Sequence, residues 1–148
     1  MDLGGLLVDS HPLLVQTALL VGRIAIGVCF VVHGLGKLGL VGPGNMAGFV
    51  EYLKSLGVPF APVQARIAML SELCGGAALA LGFLTRPACL LLIATMIIAG
   101  RLGHKGGGYL ITNNPPGAEY TINLAVVCGM FLLLGPGLFS LDQIFFRQ

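Results

Sequence analysis

The sequence predicts an all-α integral membrane protein, a four-transmembrane-helix bundle with a short interfacial amphipathic helix between helices 1 and 2. Three observations predict it. Charged residues are 9% of the 148 residues, against about 25% in soluble globular domains. The hydrophobic fraction is 56% and the mean hydropathy is +0.94, and eight Lys/Arg with six Asp/Glu cannot coat a soluble domain of this size. The apolar residues also gather into four segments of helical length, about 17–38, 66–84, 87–103 and 119–139. The length suits one domain.

The chain opens MDLGGLLVDSHPLLVQ. Asp2 and Asp9 stand where a secretory signal carries basic residues, so this stretch is expected to remain as a short interfacial lead-in. The first span, 17–38, holds Arg23 near its start and His33 and Lys37 near its end, with 13 uncharged residues between Arg23 and Lys37. A span needs roughly 20 residues, and long cationic side chains near a helix end reach for water. Within the 39–65 connection, Met46, Phe49, Val50, Leu53 and Leu56 recur at helical spacing, with Glu51, Lys54 and Ser55 opposite. At about three turns the 45–56 helix is too short to cross, so it is expected to lie flat in the interface. Gly57 and Pro59 end it.

The second span, 66–84, carries Glu72, and its Ala78 and Gly82 favour close helix approach. LTRP at 84–87 reads as a tight turn, with Pro87 suited to the first turn of the third span, 87–103. Residues 103–118 are rich in Gly, Asn and Pro and read as a loop. The fourth span, 119–139, is uncharged from Tyr120 onward, and the chain leaves the membrane at Asp142. Four spans put both termini on one side.

Several function classes are disfavoured. There is no basic stripe and no Trp, so nucleic acid is not an expected partner. Cys29, Cys74, Cys89 and Cys128 fall one in each span and form no CxxC. They are expected as small buried apolar residues. His33 and His104 share no ligand spacing, so no metal is expected.

Depth is the most informative reading. With both termini on side A, Arg23 lies near side A, and His33 and Lys37 lie near the opposite side B. Glu72 falls within two turns of the second span's start, roughly 10 Å inside side B. Arg101, His104 and Lys105 end the third span there, and Glu119, Tyr120 and Asn123 open the fourth. Polar residues from all four helices thus gather at one depth, and intramembrane ionisable groups are costly. The expected site has Glu72, His33 and Glu119 as catalytic groups. Lys37, His104, Arg101, Tyr120, Asn123 and Arg23 are the expected binding groups. Such a cavity suits a quinone-like or other small polar head group: Lys, His, Tyr or Arg donate to its oxygens, and a carboxylate or histidine carries protons.

The runs RIAIGVCFVVHGLGKL, FVEYLKSLGVP and ARIAMLSELCGGAALALGFLTRPACLLL resemble the DoxX family, as do the later GH, Glu119 and the closing GPGLFSLD. The resemblance covers about residues 20 to 142. Matching positions are Arg23, His33, Gly34, Lys37, Gly57, Glu72, Gly75, Gly76, Gly82, His104 and Glu119. It implies a four-helix protein of the bacterial plasma (inner) membrane. Members include small subunits of a thiosulfate:quinone oxidoreductase, and others are said to anchor membrane-associated oxidoreductase complexes for sulfur and oxidative-stress chemistry. More distant relatives act in cargo sorting or receptor assembly without catalysis. The implied role is a component of a quinone-linked oxidoreductase system, in contact with membrane lipids, a quinone or small polar substrate, and partner proteins of a membrane redox complex. Two other readings stand beside it: a non-catalytic anchor or assembly factor, and a small-molecule or proton pathway. Positive-inside counting puts side B in the cytoplasm, but several of those cations belong to the expected site, so orientation stays open.

Overall fold

A computed structural model describes residues 11–147, so most of the expected lead-in lies outside the described residues. Among them are six helices and no strand. They are α1 (Pro12–Leu38), α2 (Met46–Ser55), α3 (Ala61–Leu81), α4 (Thr85–Gly103), α5 (Glu119–Leu134) and α6 (Leu141–Phe146).

Local chemistry sets the ends. The α1 helix starts at Pro12, earlier than the expected 17, because His11 caps it: Leu13 N–H donates to His11 Nδ1 at 3.3 Å. Asn45 Oδ1 caps α2 by accepting from Gly48 N–H at 2.8 Å. The α3 helix begins at Ala61, five residues before the expected start, and Pro62 sits in its first turn without needing a donor. Glu72 is therefore eleven residues inside α3, about 16 Å from its start, deeper than the expected 10 Å. Gly82, in the left-handed region at φ 66°, ends α3, and Gly135 at φ 83° ends α5 before the expected 139.

The four long helices pack antiparallel in sequence order, α1 on α3, α3 on α4 and α4 on α5. Glycines allow the first contact. A Cβ on Gly27 would lie 2.5 Å from Gly76 O, and one on Gly34 would lie 2.5 Å from Leu73 Cγ. Gly75 likewise meets Leu92 across α3–α4, and Gly100 meets Thr121 across α4–α5. The core between them is formed by Phe30, Leu79, Cys89, Leu92, Met96, Leu124, Cys128 and Phe131. Leu53 of α2 packs in a smaller cluster with Ala61 and Ala65, so α2 is docked on the bundle. Of the cysteines, Cys89 and Cys128 are buried as expected. Cys29 is half-buried and Cys74 is exposed, because its position on α3 faces away from the neighbouring helices.

The outer faces of the helices are apolar. Val21, Ile24, Val28 and Val32 on α1 are exposed, as are Ile67 and Leu70 on α3, Leu90 and Ile97 on α4, and Val126, Met130 and Leu133 on α5. By length and composition α1 and α4 qualify to cross a membrane, while α5 is apolar but 16 residues long.

One end of the bundle is closed by a polar knot. Arg23 is completely buried and its Nη2 donates to Phe139 O. Nη1 lies against Gly82, where a Cβ would come within 1.8 Å of it. Asp142 accepts from Leu84 N–H at 2.6 Å and Thr85 N–H at 2.9 Å, capping α4, and its own N–H donates to Gly82 O at 2.8 Å. Leu138 N–H donates to Gln16 Oε1 at 2.8 Å, so the start of α1 and the α5–α6 connection share this end.

The glycine contact is testable. Gly27→Ala should destabilise the detergent-solubilised protein by about 1–3 kcal/mol in a denaturant titration, because backbone stands in the way. Gly129→Ala, where a Cβ meets nothing within 4 Å, should be neutral or stabilising by up to about 1 kcal/mol. Equal effects at both positions would contradict the packing.

Candidate functional site

At the end opposite the Arg23 knot, a cavity of about 460 Å³ opens between α3 and α4 and is roofed by α2. Its polar lining comes from Lys37 of α1, Tyr52 of α2, Gln64, Ser71 and Glu72 of α3, Thr95 of α4 and His104 just beyond α4. The remaining walls are apolar, including Leu53, Leu56, Val58, Ile67, Ile98 and Leu102.

The centre of the site is an ion pair. Lys37 Nζ donates to Glu72 Oε2. The two side chains are 18% and 7% exposed. Removing both charges from water costs several kcal/mol per ion, which only close mutual contact offsets. Lys37 Nζ also lies 5.0 Å from the centre of the Phe49 ring, so a second neighbour on α2 engages the ammonium. Local packing places the pair: the Gly34–Leu73 contact lies one turn before Lys37 and next to Glu72 in sequence.

Three other polar groups of the lining are already bonded within the chain. Tyr52 O–H donates to Gly103 O at 3.2 Å, fastening α2 to the end of α4. Thr95 O–H donates to Leu91 O at 2.9 Å. His104 Nδ1 lies 3.1 Å from Pro116 O. A carbonyl only accepts, so Nδ1 carries the hydrogen and Nε2 is an acceptor in the neutral ring.

The expected site residues divide into groups. Lys37, Glu72 and His104 line the cavity. His33 and Tyr120 pair with each other across α1 and α5. His33 Nδ1 donates to Cys29 O at 2.8 Å, which leaves Nε2 to accept from Tyr120 O–H at 2.9 Å. Cys29 Sγ sits 3.9 Å from both His33 Nδ1 and Tyr120 Oη. Glu119 Oε2 accepts from Ile111 N–H at 3.1 Å, and Asn123 Oδ1 accepts from Tyr109 O–H at 3.2 Å. These two pin the 104–118 loop to the first turns of α5. Arg101 is exposed and outside the cavity lining. Arg23 is at the other end of the bundle, so it does not share the cavity.

Sequence reasoning passed over Tyr52, Ser71, Gln64 and Thr95. Tyr52 could have been found: it falls between the apolar and polar faces of the amphipathic 45–56 helix. Ser71 and Thr95 are small polar residues inside apolar runs, and nothing local distinguishes a cavity-facing hydroxyl from one bonded to its own helix.

Comparison with known proteins gives a consistent assignment. Inner membrane protein YphA of Escherichia coli is 34% identical over 131 residues, covering 84% of this chain and 88% of that protein. Inner membrane protein YqjF of the same organism is 29% identical over 131 residues, covering 87% of this chain and 92% of that protein. No solved structure matches. The DoxX family model matches residues 18–105, the stretch that carries the glycine contact, the Lys37–Glu72 pair and most of the cavity wall, and the chain belongs to the DoxX family.

Proposed function

We propose that this protein crosses the inner membrane four times and holds, in the α2–α3–α4 cavity, the head group of a quinone-type carrier, as one component of a quinone-linked oxidoreductase system. The observation that carries this reading is the Lys37–Glu72 pair set into the wall of an otherwise largely apolar cavity. The volume lies within the roughly 300–1,000 Å³ of small-molecule pockets. A few polar groups set among aliphatic walls fit an amphiphile with a small oxygen-bearing ring. When bound, a quinone supplies two-electron, two-proton chemistry. In this reading the Glu72 carboxylate stands beside the head group to take a proton from it, Lys37 holds that carboxylate in place, and α2 covers the pair. The relevant reach is short: acid–base work needs a hydrogen bond to the reacting oxygen.

The span count rests on the apolar outer faces of all four long helices and on their lengths. At about 1.5 Å per residue α1, α3 and α4 extend about 40, 31 and 28 Å, against a hydrocarbon core of about 30 Å. The α5 helix is shorter, about 24 Å, and residues 135–140 extend it toward the same level. The inner-membrane setting is carried over from the named relatives.

A second reading is a non-catalytic anchor or assembly factor. It is favoured by one observation: His33, Tyr120, Glu119 and Asn123 spend polar atoms on bonds within the chain, which builds an ordered loop surface at the cavity end.

Two measurements test the proposal. Compartment-sensitive reporters fused to either terminus should report the same side, and opposite sides would contradict an even span count. Protein in lipid nanodiscs should bind a short-chain ubiquinone analogue, and Lys37→Met should weaken binding at least tenfold, while Cys74→Ser on the outer face should leave it unchanged. Absence of binding by wild type, or equal binding by Lys37→Met, would defeat the quinone reading and favour the anchor.

A further inference from the structure

The cavity's hydrogen-bonding inventory says which form of its ligand it fits. A carbonyl head group needs donors, and Lys37 is the one purely donating side chain of the lining. Tyr52 has given its hydrogen to Gly103 O, Thr95 to Leu91 O, and His104 its Nδ1–H to Pro116 O. Each then presents an accepting atom: the Tyr52 and Thr95 oxygens and, in the neutral ring, His104 Nε2. Glu72, paired as a carboxylate with Lys37 through one oxygen, has a second oxygen that accepts. Ser71 and Gln64 both donate and accept, so they do not tip the balance. Lys37 is the one cation of the lining; it gives one hydrogen to Glu72, and its ammonium lies between that carboxylate and the Phe49 ring.

We infer that the cavity is built for the hydroxyl-bearing, reduced form of its ligand, a quinol, rather than for the dione. This rests on the quinone-type reading above and sharpens it. A ring hydroxyl donates to the acceptors that the dione leaves unpaired, and an unpaired buried acceptor is costly. The same inventory disfavours anionic head groups. The Lys37 charge is cancelled by Glu72, so an incoming anion meets an acceptor-rich wall with no cation free of a counter-charge among the lining residues. The cavity side of Glu72 then has a definite task, which is to accept a hydrogen bond from the bound hydroxyl.

The test is equilibrium binding to the full chain in nanodiscs under anaerobic conditions, using decylubiquinol and decylubiquinone as probes. The quinol should bind about tenfold more tightly, which raises the potential of the bound couple by about 30 mV. Glu72→Gln removes a pure acceptor and frees Lys37 as a donor, so it should erase or reverse the preference. If that variant fails to fold, the wild-type preference alone decides. Equal affinity, or tighter binding of the dione, overturns this inference and leaves the quinone reading standing. Binding of neither probe overturns both.

Discussion

The structure turns on the placement of Glu72. A carboxylate about halfway along a helix with apolar outer faces is tolerable only with a counter-charge in contact, since an unpaired buried charge costs several kcal/mol. Lys37 supplies that charge from the neighbouring helix. The pair then dictates much of the surroundings. The α1 helix must lie close enough for a lysine to reach, so Gly27 and Gly34 face α3 without side chains. The ammonium must be shielded, and α2 brings Phe49 over it. The space beside the pair becomes a cavity because α3 and α4, joined tightly at Gly82–Leu84, part beyond Gly75 and Leu92.

The two ends of the bundle use polar groups differently. At the Arg23 end, the buried guanidinium binds the Phe139 carbonyl and the Asp142 carboxylate binds the Leu84 and Thr85 N–H groups, which fixes the chain where α1, the α3–α4 turn and α6 meet. This end is a fastening. The opposite end has comparable polar content but keeps some of it facing open space. The His33–Tyr120 bond and the loop ties of Glu119 and Asn123 hold the rim of the cavity end.

Much of this was legible in the sequence, and the reasons for the rest are physical. Composition and segment length predicted an all-helical chain with lipid-suited faces, because burial of apolar residues alone cannot use so few charges. Counting residues along alternating helices put Lys37, Glu72 and His104 at one end of the bundle, where they share a cavity. Depth, however, says nothing about azimuth. His33 and Tyr120 came out at the right level but turned toward each other, and Arg101 turned outward. Arg23 was already legible as belonging near the opposite side, and its buried bond to Phe139 depends on a chain segment 116 residues away. Tyr52 and Thr95 join the cavity through the docking of α2 and the parting of two helices, which no local pattern encodes.

The central claim is that Lys37 and Glu72 hold each other in the cavity wall. Exchanging the charges tests it most directly, by comparing the folding stability in detergent of Lys37→Glu, Glu72→Lys and the double variant. Each single change juxtaposes like charges and should cost about 3–5 kcal/mol, and the double variant should recover most of that loss. Single variants as stable as the wild type, or a double variant no better than the worse single, would contradict the account.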